Sequence, residues 1–157
     1  MKSHFGRGAF VRIGFVGLAL TLMTAGCQQR IDDATTRRVE FKARLAGASE
    51  VPATASAGEG EFEATYNPSN RELDWRLRFH GLSGIVTAAH FHGPAAPGAN
   101  APVVVPINST FVGTWQRGEV KLTDAQAADL LTGRWYVNVH TDKFPAGEIR
   151  GQVVRDK

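Results

Sequence analysis

The sequence predicts an all-β fold, a single antiparallel β-sandwich carrying one short helix. Two patterns carry the prediction. Segment after segment alternates apolar and polar residues with a period of two, the mark of a half-buried strand, and Gly, Pro and Asn punctuate those segments at roughly the 8–12-residue spacing of sandwiches and barrels. A third observation, one isolated stretch with helix-capping chemistry, accounts for the helix.

The first strand runs from Arg38, with Val39, Phe41, Ala43 and Leu45 alternating against Glu40, Lys42 and Arg44. A loop rich in Ala, Ser, Gly and Pro follows, from Ala46 to Gly60. Phe62, Ala64 and Tyr66 then alternate with Glu61, Glu63 and Thr65, and Asn67-Pro68-Ser69-Asn70 supplies a turn. The clearest strand sets Leu73, Trp75, Leu77 and Phe79 against Asp74, Arg76, Arg78 and His80. Further strands are expected over Ile85 to His92, Val103 to Ile107, Phe111 to Trp115, Glu119 to Leu122, Trp135 to His140 and Glu148 to Val154. Between the strands Glu119 to Leu122 and Trp135 to His140 lies the helix. Thr123 can cap it, Gln126 completes a capping box, and Gly133 stops it after Leu130-Leu131. So short a helix is expected to plug one end of the β structure.

The N-terminus reads as a leader. Lys2, Arg7 and Arg12 precede an uncharged apolar stretch, Ile13 to Gly26, which has the length of a signal-peptide core and is too short for an ordinary spanning helix. Residues 1–27 are therefore expected to be a signal peptide. Its end, Thr24-Ala25-Gly26-Cys27, resembles a bacterial lipobox, with Thr24 where Leu is usual and Cys27 as the lipidated residue. Residues 28–37 are polar and read as a tether, and residues 38–157 as the domain. The expected location is a lipid anchor in the bacterial envelope, or else the periplasm or the medium. Gln28 in place of an inner-membrane-retaining Asp favours the outer membrane.

Removing the leader changes the charge. Its three basic residues account for the whole of the net charge of +3, so the remainder is balanced and nothing recommends a nucleic-acid partner. Cys27 is the only cysteine. An intramolecular disulfide and thiolate zinc clusters are thereby excluded, and any metal would be held by nitrogen and oxygen.

Several separated segments agree in order and spacing with a known family. Leu45-Ala46-Gly47, Glu50-Val51-Pro52, Gly81-Leu82, the stretch His90-Phe91-His92-Gly93-Pro94-Ala95, the stretch Tyr136 to Thr141, and Pro145 to Gln152 together resemble a CHRD (chordin) domain, from about Val39 to Val154. The resemblance implies a β-sandwich of the kind found in secreted bacterial proteins and repeated in animal chordins. Animal chordins antagonise growth factors, a partner that does not transfer to a bacterial-looking lipoprotein, because function belongs to sites and not to folds.

Two sets of residues are candidates for a site. His90 and His92 share a strand face, with Val86 and Ala88 on it, and His140 lies on another strand behind Tyr136 and Asn138. If the strands meet, three imidazoles could hold copper or zinc with an open fourth position. The His-x-His strand of copper/zinc superoxide dismutase, also a β-sandwich, is the nearest architectural analogy. The second set is a polar network of Asn138, Glu148, Arg150 and Gln152. A hairpin across Asp142 to Gly147 is expected to place these faces side by side, with an Arg150–Glu148 pair. Such a network can lock strands without doing chemistry, or Asn138 and Glu148 can orient metal ligands.

No catalytic residue is expected. Glu148 has no nucleophile or second acid at recognisable spacing, and neither Ser83 nor Ser109 sits in a nucleophile elbow. Gly58-Glu59-Gly60 precedes no helix and reads as a turn, Arg76, Arg78 and His80 read as a solvated strip, and the loop Gly93 to Pro102 reads as a connector that could shape a ligand mouth. The favoured expectation is a non-catalytic binding or structural module of the envelope, attached to the membrane through its lipid and meeting a protein or glycan there. The alternative is a copper- or zinc-binding protein using His90, His92 and His140.

Overall fold

In a computed structural model, residues 37–107, 111 and 115–157 are described. The expected leader, Cys27, the tether up to residue 36 and the central part of the expected strand Phe111 to Trp115 lie outside them. No helix among the described residues is long and apolar enough to cross a membrane.

Among the described residues, eight strands, one α-helix and one 3-10 turn at Gly47–Ser49 form the domain: β1 Val39–Ala46, β2 Glu59–Asn67, β3 Glu72–His80, β4 Val86–His92, β5 Val103–Pro106, β6 Gln116–Lys121, α1 Asp124–Leu131, β7 Trp135–Thr141 and β8 Ile149–Arg155. All join one sheet in the order β5-β4-β7-β8-β1-β2-β3-β6, and every neighbouring pair is antiparallel. The two-sheet sandwich expected from the sequence is therefore replaced by one curled sheet, a half-barrel. The reason lies at the middle of the order. β8 pairs with β7 on one side and with β1 on the other, so hydrogen bonds continue where a sandwich would part.

Curling closes the core. β4 and β2 stand four places apart in the sheet, which in a flat sheet is a separation of roughly 19 Å. Yet Phe91 of β4 meets Phe62 of β2 with ring centroids 5.4 Å apart, and Trp75 of β3 at 5.7 Å, both edge-on. Phe91 also packs on Trp135 of β7. The inward faces of β1, β2 and β3 supply Phe41, Ala43, Leu45, Phe62, Ala64, Tyr66, Leu73, Trp75 and Leu77, all buried. These are the apolar members of the period-two runs.

The helix caps one end as expected. Thr123 Oγ1 accepts from the Gln126 N–H, Gln126 Oε1 accepts from the Thr123 N–H, and Gly133 follows with φ +72°. Its Ala127 and Leu130 join the core.

β4, β7 and β8 send their odd-numbered residues inward: Ala89 and Phe91, Trp135, Val137 and Val139, Ile149 and Val153. Their even-numbered residues, the histidines included, therefore occupy the outer surface of the sheet. Loops cover part of that surface, burying Tyr136, Asn138 and Arg150 and leaving His90, His140 and Gln152 half-buried.

Candidate functional site

Strand register sets the site. On β4 and β7, Ala88 stands opposite His140, His90 opposite Asn138, and His92 opposite Tyr136. β8 continues the row, with Arg150 opposite Asn138 and Gln152 opposite Tyr136. Directly opposed side chains are neighbours and diagonal ones lie within reach of rings. The result is a patch of imidazole, amide, phenol and guanidinium on one face.

His90, His92 and His140 converge, each offering a nitrogen within 4.8 Å of the others. His90 Nδ1 lies 3.1 Å from His140 Nε2. Backbone carbonyls hold the far sides of two rings: His92 Nδ1–H donates to Ala101 O and His140 Nδ1–H donates to Pro145 O, each at 2.9 Å. A carbonyl can only accept, so in the neutral rings both Nε2 atoms carry lone pairs. Those lone pairs face Asn138 Oδ1, at 3.1 Å from His92 and 3.0 Å from His140. His90 Nδ1, His92 Nε2, His140 Nε2 and Asn138 Oδ1 thus share one hydrogen, supplied by His90. A pocket so rich in acceptors favours a cation.

Two of its histidines, His90 and His92, are also pushed toward the neutral form. Burial pushes the His90 pKa down, helped by His140 and His92. Burial lowers that of His92 too, against the opposing bonds to Ala101 and Asn138 and together with the charges of His140 and Arg150. Neutral imidazole is the form that binds metal.

A stack backs the site. The Tyr136 ring lies parallel to His92 at 4.7 Å, and the Arg150 guanidinium sits over the Tyr136 ring, 3.3 Å from its centroid. Arg150 is 2% exposed and donates to Ala99 O at 2.6 Å and Asn100 Oδ1 at 3.0 Å. Gln152 Nε2 donates to Ala95 O and Gly133 O. The loop Gly93 to Pro102, expected as a connector that could shape a ligand mouth, covers the site through its contacts with His92, Arg150 and Gln152.

Glu148 does not join this cluster. Its carboxylate accepts from Ser56 Oγ, the Ser83 N–H and Thr141 Oγ1 at 2.6–2.7 Å. Burial alone would raise its pKa, and those hydrogen bonds more than reverse that and hold it low. Among the described residues no Arg150–Glu148 ion pair forms, contrary to expectation. β8 begins at Ile149, after Gly147 with φ +130°, so strand parity does not extend back to Glu148. Glu148 pins the loops before β2 and β4 to the β7–β8 turn.

Glu50, Tyr136 and the carbonyls of Ala101 and Pro145 join the site without a signal of that role in the local sequence pattern. Glu50 was visible within Glu50-Val51-Pro52 without a role. It is 8% exposed, burial raises its pKa against the opposing influence of Arg150, Val51 and Asn138, and its Oε1 has no hydrogen-bond partner.

A second acidic group, Glu72, Asp74 and Glu119, lies on the outer face of β3 and β6. Its members are half-buried or exposed, as solvated strand faces are.

No curated protein and no solved structure matches the chain. The CHRD domain model matches residues 41–153, from the third residue of β1 into β8 and including every residue of the histidine cluster. By that match, the chain belongs to the CHRD domain family.

Proposed function

We propose that this CHRD domain is a non-catalytic metal-binding module that holds one copper or zinc ion through His90, His92 and His140. The observation that carries the reading is the convergence of three imidazole nitrogens with two of the rings fixed from behind by backbone carbonyls. Metal-bound histidines commonly donate their other N–H in this way, which fixes tautomer and ring direction. The spacing also suits it. Two nitrogens bound tetrahedrally at about 2.0–2.1 Å from a metal lie roughly 3.3–3.4 Å apart, against 3.1 Å between His90 and His140. Asn138 Oδ1 supplies an oxygen donor at the fourth position, and nitrogen with oxygen suits copper(II) or zinc.

The leader supports display outside the cytoplasm, with Cys27 as the lipidated residue and the outer membrane as its site. Storage or delivery of the ion fits such a module. The test is the metal content of the mature chain after exposure to copper and zinc, read by elemental mass spectrometry. The expected result is about one equivalent, lost in His90→Ala and in His140→Ala. Retention of that equivalent by both variants sinks the reading. Lipid labelling should vanish in Cys27→Ser, and persistent labelling would dismiss the anchor.

A further inference from the structure

We propose that Glu50 is a positioning residue of the site: it fixes which way the Asn138 amide points, and so keeps the histidine lone pairs open for an ion. The proposal rests on the metal reading of the cluster and deepens it.

An amide can present either its oxygen or its nitrogen to a neighbour. Turned one way, Asn138 adds Oδ1 to a set of acceptors. Turned the other way, its two N–H groups would donate to the Nε2 atoms of His92 and His140, satisfying them internally and competing with any metal. The strand itself does not choose between these states, since both fit the same rotamer. Something on the far side of the amide must choose.

Glu50 occupies that far side. A Cβ added to Gly147 would meet the Glu50 carboxyl and, at 3.0 Å, Asn138 Nδ2, so both groups crowd over one glycine. The amide nitrogen therefore faces the carboxyl, and its oxygen faces His92 and His140. A carboxyl oxygen accepts from an N–H and repels an amide oxygen. The bare backbone at Gly147 is what lets Glu50 approach: its φ of +130° and the collision a side chain would make there both require glycine. Glu50 arrives from the loop after β1, held near the site by Asn100 Nδ2 donating to Val51 O at 3.0 Å.

A side chain retained only for packing would gain from becoming apolar, because Glu50 buries an oxygen without a partner. Glu50→Leu should therefore leave the melting temperature unchanged or raised. The same variant should weaken zinc binding about tenfold or more, measured by competition with a chromophoric chelator. Glu50→Gln, which can still offer an oxygen to the amide, should stay close to the parent. Asn138→Asp in the Glu50→Leu background should restore affinity, since a carboxylate presents oxygen whichever way it turns. In the metal-free protein, imidazole nitrogen-15 spectra of Glu50→Leu should show the Nε2 atoms of His92 and His140 shifted toward hydrogen-bonded values.

Unchanged zinc affinity in Glu50→Leu overturns the proposal. So does a loss that Asn138→Asp fails to restore, which would assign it to general packing. If the parent chain binds no zinc, the metal reading fails separately and the imidazole spectra alone decide: spectra identical in parent and Glu50→Leu would then reject a positioning role.

Discussion

The two wings of the curled sheet present the same alternation to opposite fates. On β1, β2 and β3 the outward residues form ladders of opposite charge. Arg76 pairs with Glu63 and Arg78 with Glu61, and Trp115 lies against both guanidinium groups. These pairs stay in solvent. On β4, β7 and β8 the outward residues are His90, His92, Asn138, Arg150 and Gln152, and loops cover them. Asn138 is 3% exposed. Water satisfies the first wing at little cost or gain. In the second, the buried His92, Asn138 and Arg150 depend on protein partners, so removing one leaves another stranded. A polar residue at an outward strand position thus means different things in the two wings, and the loop above it decides which.

The sharpest way to test that contrast is to remove one arginine from each wing. Arg150→Met leaves Ala99 O and Asn100 without donors and uncovers Tyr136, and should cost about 3 kcal/mol in chemical denaturation. Arg78→Met breaks an exposed pair and should cost about 0–1 kcal/mol. Equal losses would dissolve the distinction between the wings.

A smaller effect separates two glycines. Gly98, with φ +80°, has nothing within 4 Å of an added Cβ, so Gly98→Ala should cost about 1–2 kcal/mol from backbone strain alone. Gly147→Ala adds a collision with Glu50 to a similar strain and should cost more, with a loss of metal affinity that Gly98→Ala does not share. Parallel behaviour of the two variants would argue that the roofed site tolerates displacement of Glu50.

Acidification should act mainly on the roofed wing. The depressed pKa values of His90 and His92 mean that the folded state binds fewer protons than the unfolded chain. Their contribution is present above the ordinary value of 6.5 and is lost as pH falls through the lowered ones. Glu148 adds a second loss below 4.5 by the same sign. Raised Glu50 works oppositely, favouring the fold at low pH and losing that contribution as pH rises through its elevated pKa. The melting temperature should therefore decline on acidification below 6.5, and the decline should steepen when zinc holds the cluster, because metal-bound imidazoles take up no protons in the folded state and protons compete with the ion. A flat profile from 7 to 5 in the metal-free protein would contradict the histidine environment described.

Much of this was legible in the chain. Leu73 to His80 announces a half-buried strand, Thr123 and Gln126 announce the helix start, and His90 and His92 must share a face because strand parity is geometric. What local pattern does not carry is which strands pair, and the β7–β8–β1 continuity that makes one curled sheet in place of a sandwich is of that kind. The outer location of the histidines was equally hidden, since a face becomes a site here only when distant loops roof it. Ala101 O, Pro145 O and Glu50 act from such loops. Glu148 shows the limit of parity itself: one glycine before the strand was enough to turn it toward Ser56 and Thr141.

Whether these outward histidines form one binding site for a metal can be read from X-ray absorption of the zinc-loaded chain. The predicted spectrum has imidazole scattering from three rings with zinc–nitrogen distances of about 2.0–2.1 Å and one further oxygen. Zinc surrounded by oxygen alone, or by a single imidazole, would return the cluster to a purely structural role.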